Sequence, residues 1–152
     1  MNVSQIDPAA PGVLVLLAQS DRYMAALYPA ESNHMTDAAA LRDPAVTFLA
    51  VSEGDTVVAC GALVRQDAGM AEIKRMFVSE DHRGRGFGKR ILEHLMEIAD
   101  AERLTLRLET GARQPEAIGL YRAHGFAEIP AFAPYGPDPL SVFMERPGKT
   151  RP

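Results

Sequence analysis

The stretch Ala71–Thr110, AEIKRMFVSEDHRGRGFGKRILEHLMEIADAERLTLRLET, changes its hydrophobic period twice. From Ala71 to Val78 the side chains follow a period of two, which predicts a β-strand. After a short loop, Ile91, Leu92, Leu95, Ile98 and Ala99 recur on one helical face, with Lys89, Arg90, Glu93, Glu97 and Asp100 on the other. That pattern predicts an amphipathic helix starting near Gly88. From Leu104 to Thr110 leucine alternates with polar residues and predicts a second strand. Strand, helix and strand in that order favour a parallel pair joined by a crossover helix, because parallel neighbours need a connection long enough to return to the same end of the sheet.

Working outward, VTFLAVS (46–52) and TVVACGALVR (56–65) also read with period two, and the turn signals EGD and QDAG separate the three consecutive strands. An antiparallel meander therefore feeds the parallel pair. A short strand is expected at Val3–Ile6, followed by a helix within residues 7–27, where Asp7 and nearby prolines mark the start. YPAESNHM interrupts it, and Thr36 or Asp37 is expected to cap a short second helix through Leu41, stopped by Asp43 and Pro44. Downstream, Pro115 suits the first turn of a helix that Gly125 terminates. The proline-rich loop PAFAPYGPDP then leads to a last strand, LSVFMER. The expectation is an α+β fold: a single domain over residues 1–147 with a mixed, mostly antiparallel central sheet and flanking helices, and a frayed tail at 148–152.

The bulk figures agree with one folded domain. The chain has 152 residues, 47% of them hydrophobic and 24% charged, which is ordinary for a globular protein and argues against disorder or a coiled coil. A net charge of −4 disfavours wholesale attraction to nucleic acid or an anionic membrane. No stretch is long and apolar enough to span a bilayer and no leader pattern opens the chain, so a cytoplasmic location is expected. Cys60 has no partner for a disulfide, and its apolar flanks in VVACGALV predict a buried, inert thiol. No metal-ligating cluster is expected.

Gly84, Gly86 and Gly88 stand at alternate positions inside a basic cluster of Arg83, Arg85, Lys89 and Arg90. At the mouth of a helix, where the first amides lack intrahelical partners, such a loop can hold phosphate oxygens, helped by the helix dipole. It is not a Walker loop, since Arg90 follows Lys89 where serine or threonine would be needed. Nor is it a dinucleotide fingerprint, since Lys89 stands where the third glycine would be. From spacing alone, a flexible glycine turn with solvated basic residues remains an equal alternative.

With these residues in place, the sequence resembles the GNAT superfamily of N-acetyltransferases. Arg83, Gly86 and Gly88 match the signature of Arg or Gln, two residues, Gly, one residue, then Gly or Ala. LRLETGARQPEAIGLYRAHGF (106–126) is similar to the family's second conserved block, and the close match covers roughly residues 46 to 128. The resemblance implies that the two parallel strands splay apart to admit acetyl-CoA as co-substrate. It implies pantetheine pairing along the backbone of Met76, Phe77 and Val78, and pyrophosphate on Arg83, Gly84, Arg85, Gly86, Phe87, Gly88 and Lys89. Gln114 stands where the family often has asparagine near pantetheine, and keeps the amide on a longer stem.

The implied chemistry is direct acetyl transfer to an amine, with a backbone amide stabilising the oxyanion. Tyr121 matches the tyrosine that protonates the leaving thiolate, and Glu72 and Glu109 compete as the base, with Glu109 slightly favoured. In the implied fold the segment after the first helix walls the acceptor side, which nominates Glu31, Ser32, Asn33 and His34, with Tyr135 reaching in from the late loop. A solvated polar loop explains the same residues equally well. The expected acceptor is a small-molecule primary amine or amino acid. A non-catalytic sensor of acetyl-CoA is the rival reading, and family habit allows a homodimer that no residue here decides.

Overall fold

The computed structural model describes residues 2–33 and 36–150. Its centre is the predicted meander: β2 (Val46–Glu53), β3 (Thr56–Arg65) and β4 (Met70–Val78) pair antiparallel in sequence order. β3 is buried on both faces from Val57 to Leu63, which explains why its sequence is an almost unbroken apolar run. β1 (Val3–Gln5) adds to the free edge of β2. On the other side β4 pairs in parallel with β5 (Thr105–Gly111), and the crossover between them is the amphipathic helix α2 (Phe87–Glu102).

The sheet order among the described residues is β1-β2-β3-β4-β5-β7-β6, with β7 (Ser141–Arg146) antiparallel to both β5 and β6 (Ala127–Ile129). A helix covers each face. α1 (Pro11–Leu27) buries Val13, Leu16 and Leu17 against Phe48, Cys60 and Phe77. α2 buries Ile91, Leu92 and Leu95 against Leu63, Ile73 and Leu106 on the opposite face, and α3 (Pro115–Ala123) adds Tyr121 to that second cluster. Each fully buried leucine contributes about 1.5–3 kcal/mol, so the two clusters hold the sheet as a rigid middle layer. Among the described residues no helix is long and apolar enough to cross a membrane.

The parallel pair is short by construction. β4 and β5 are in register only from Met70 opposite Thr105 to Ile73 opposite Leu108. Beyond that point β4 carries a bulge: Ala62 faces Lys74 and Cys60 faces Phe77, so Arg75 and Met76 together oppose Gly61. Arg75 takes a left-handed backbone, φ 58°. The extra residue bends β4 away from β5, and the ladder opens into a wedge. Gly61 is small because Met76 and α2 occupy the space of a side chain there; a Cβ would lie 2.8 Å from Ile91 Cγ2 and collide with Met76 Sδ.

Several expectations need correction. The short helix expected through Leu41 is a single 3-10 turn at Ala40–Arg42; Asp37 accepts the Ala40 amide as a cap would, but nothing extends the turn. β6 was not foreseen, because three residues carry no readable period. α2 does start near Gly88 as expected, at Phe87, with Gly86 as its left-handed N-cap. At the expected tail, the Gly148 amide donates to Thr105 Oγ1 at 3.0 Å; Arg151 and Pro152 lie outside the described residues.

Candidate active site

The wedge between β4 and β5 is the entrance to two adjoining cavities. The larger, about 490 Å³, runs from Met76, Phe77 and Val78 along the glycine loop to the first turn of α3. Gly84 and Gly86 sit at φ 77° and 82° with nothing within 4 Å of where a Cβ would be. The loop therefore needs glycine for its backbone conformation rather than to clear room, and that conformation turns the leading amides of α2 to the cavity.

The basic residues divide. Lys89 and Arg83 line the larger cavity. Arg83 is also structural: its Nε donates to the Val78 carbonyl at 3.1 Å, and its guanidinium lies 4.4 Å from the Tyr23 ring centroid. Arg85, expected on the phosphates, does not line the cavity. It is spent on Glu53, whose carboxyl it holds below the usual range, and it stacks over Phe87 at 5.0 Å. Tyr23, His82, Arg113 and Glu116 line the cavity without having been anticipated. Arg113 and Glu116 flank Gln114 and Pro115 at the mouth of α3 and were within reach of the sequence; Tyr23 needed the packing of α1 to bring it in.

The smaller cavity, about 100 Å³, lies on the α1 side of the wedge. Ala71 and Ile73 of β4 point to the α2 core, so Glu72 and Lys74 point the other way, and β5 presents Glu109 to the same side. Ser20, Met24 and Thr36 form the opposing wall, and Tyr135 closes it from the proline-rich loop. The two cavities share Met76, Phe77, Gln114, Ala117 and Tyr121 as lining, so they adjoin at these residues.

Three groups at this junction are chemically distinctive. Tyr121 is buried, packs edge-on against Phe126, and has its phenol pushed up first by burial and then by the charge of Glu109. Glu72 is only 2% exposed; it accepts from Tyr135 Oη at 2.5 Å and from Gln66 Nε2 at 3.2 Å, with Lys74 Nζ 3.8 Å away. Glu109 accepts from Ser141 Oγ at 2.8 Å. Burial and then the bond to Glu72 push the Tyr135 phenol up.

Gln114, the N-cap of α3, is positioned by a residue the sequence did not suggest. Tyr28 Oη donates to Gln114 Oε1 at 3.2 Å and accepts from the Arg113 amide at 3.0 Å. The Tyr28 hydroxyl occupies the space a side chain at Gly111 would need. Of the residues expected on the acceptor side, Tyr135 is there. Glu31 is exposed, Ser32 donates to Asp138 Oδ2 at 2.7 Å, and Asn33 Nδ2 reaches the Tyr28 carbonyl at 3.4 Å. None of these three lines the cavity, and His34 lies outside the described residues.

The Acetyltransferase (GNAT) family profile matches residues 15–126, which span α1 to the end of α3 and every element around the wedge. The chain belongs to this family. GNAT relatives extend over its whole length: an IAA acetyltransferase of Azospirillum brasilense is 45% identical over 149 residues, covering 97% of each chain. A solved Klebsiella pneumoniae structure described as an acyl-CoA N-acyltransferase superposes with a TM-score of 0.81 at 35% identity, again covering 97% of each chain. The PaiA N-acetyltransferase of Thermoplasma acidophilum, solved with coenzyme A, shares the GNAT fold at 16% identity and a TM-score of 0.73, over 97% of this chain and 99% of its own. The protein is a GNAT acyltransferase.

Proposed function

We propose that this protein transfers the acetyl group of acetyl-CoA to the primary amine of a small molecule or amino acid, by direct attack in a ternary complex. The observation that carries the reading is the meeting of the two cavities at Tyr121. One is long and ends on bare helix amides and Lys89, as a nucleotide-bearing thioester requires; the other is small, polar and flanked by carboxylates.

In this reading pantetheine lies along Met76–Val78, with its diphosphate on Gly84, Gly86, Gly88 and Lys89. Gln114, held by Tyr28, faces the reacting end. The acceptor enters as an ammonium and loses one proton to become nucleophilic, with Glu109 taking it directly or through water. Glu109, which accepts from Ser141 Oγ, is favoured because its charge reaches the Tyr121, Tyr28 and Tyr135 hydroxyls. Nitrogen attacks the thioester carbonyl, a backbone amide stabilises the oxyanion, and the C–S bond breaks. The thiolate takes the Tyr121 proton, and the amide nitrogen loses its second proton, which returns the phenol. The balance is one ammonium and one thioester in, one amide, one thiol and one proton out. A phenol raised by burial stays protonated at neutral pH, as a proton donor must.

Coenzyme A release over a broad panel of primary amines, alongside calorimetry with acetyl-CoA, tests the proposal. Turnover with at least one amine is expected. Binding of acetyl-CoA without turnover on any amine would favour the sensor instead.

A further inference from the structure

Lys74 and Arg75 are neighbours in a strand, and regular alternation would send their side chains to opposite faces. The bulge changes that. With Arg75 at φ 58°, both residues line the small cavity on the α1 side. A left-handed backbone is unfavourable for an L side chain, and bulges beside active sites commonly re-aim one residue, so the conformation asks for a reason.

The Arg75 side chain is 4% exposed. Its Nε donates to the Thr36 carbonyl at 2.8 Å, and its Nη1 donates to Asp21 Oδ1 at 2.8 Å and Ser20 Oγ at 3.4 Å. Nε and Nη1 are thereby engaged, while no acceptor is recorded for Nη2 among the described residues, and it does not count among the fully buried unpartnered atoms. Asp21 is 55% exposed and meets the guanidinium from the solvent side. The same small cavity thus holds an arginine edge and the Lys74 ammonium together with the carboxylates of Glu72 and Glu109.

We infer that the acceptor is a zwitterion, an amine bearing a carboxylate close to the reacting nitrogen, and that Arg75 Nη2 is the seat of that carboxylate. The inference rests on the proposed acetyl transfer and narrows its substrate class. The ammonium sits with Glu109, beside Tyr121, and the carboxylate lies across the cavity on Arg75 and Lys74. At about 100 Å³ the cavity is smaller than the roughly 150 Å³ that accommodates benzene, so it suits an amino-acid head group whose side chain points outward. An anion could instead be carried by the acyl group of the donor. A carboxylate on the acceptor keeps opposite charges paired within one molecule, its ammonium on Glu109 and its anion on Arg75 and Lys74, and on this ground we assign it to the acceptor and include a donor arm in the test.

The test measures kcat/KM for coenzyme A release from acetyl-CoA with each common α-amino acid and with its carboxamide. For reactive pairs the acid should exceed the amide at least tenfold, even though more of the carboxamide's amine is neutral at pH 7. Arg75→Gln should bring the ratio close to one, and Arg75→Lys should restore part of it. Because the ratio is taken within one variant, a partly unfolded sample does not distort it, and the wild-type ratio needs no variant at all. Amides reacting as well as acids in the wild type would overturn the inference and leave the proposed transfer standing. No reaction with either series, while an amine of the broad panel turns over, would overturn the inference alone; no turnover on any amine would remove the proposed transfer as well. A third arm uses succinyl-CoA with the carboxamides: a preference for it over acetyl-CoA that Arg75→Gln abolishes would place the anion on the donor and overturn the assignment.

Discussion

Tyr121 lines both cavities, and as the proposed proton donor its hydroxyl should matter to chemistry rather than folding. Tyr121→Phe is expected to lower kcat by about 10²–10⁴-fold while KM for acetyl-CoA and thermal stability stay close to wild type, read by coenzyme A release and melting. The carboxylates separate by pH profile. Glu109→Gln should flatten the rising limb of kcat/KM, whereas Glu72→Gln should leave the limb in place and act through the Tyr135 contact it loosens. The glycines make a sharper comparison. Gly86→Ala meets no steric neighbour yet must hold φ 82°, so it should cost about 1–2 kcal/mol of stability and weaken acetyl-CoA binding. Gly88 is helical, and a Cβ there would touch Val78 Cγ2 at an ordinary 3.5 Å; Gly88→Ala should be neutral or gain up to about 1 kcal/mol in denaturant unfolding. Equal losses in both variants would mean that space, not backbone conformation, governs the loop.

Among the elements, β4 determines the site, because its bulge ends the parallel ladder and re-aims Arg75. Met76 folds over Gly61, and this close approach keeps the bulge in register. Gly61→Ala should therefore destabilise by about 1–3 kcal/mol and reduce transfer, and adding Met76→Ala should recover part of the stability, a coupling measurable as a double-mutant cycle in denaturant unfolding. Simple additivity would show that the bulge is held by something else. The other elements are fastened away from the chemistry. Arg65 of β3 pairs bidentately with Glu102 at the end of α2, both N···O distances being 2.7 Å, and Arg146 of β7 pairs with Asp100 at 2.9 Å. Both carboxyls are held below their usual range by those arginines. α1 is pinned by Tyr28 against the β5–α3 turn, so the end of α1 and the cap of α3 share one hydroxyl.

Across the whole molecule, proton-bearing groups are buried together. Burial raises the phenols of Tyr28, Tyr121 and Tyr135, and raises the Cys60 thiol from 9.0 to about 12. The folded chain keeps protons that the unfolded chain releases near pH 9–10, so these groups stabilise fully below that range and lose their contribution as pH rises through the folded values. The melting temperature should fall progressively above about pH 9, and Tyr121→Phe should make the fall shallower; a melting temperature flat to pH 11 would contradict the burial. The meander, the crossover helix and the glycine turn before it were legible in the amino-acid order, since each depends on local periodicity or on glycine at a backbone that other residues resist. Tyr121, Glu72, Glu109 and Gln114, which lie beside those signals or match the family's blocks, all line the smaller cavity. β6 and the 3-10 turn were not legible, because so few residues carry no period, and Glu31, Ser32 and Asn33 proved to lie off the cavity because a polar loop does not reveal which way it packs. The diversion of Arg85 to Glu53, the Tyr28 clamp on Gln114 and the turning of Arg75 beside Lys74 were decided in three dimensions alone. Each depends on a partner from another element, and residues distant in the chain acquire a mutual geometry only when the sheet, its bulge and both covering helices are in place.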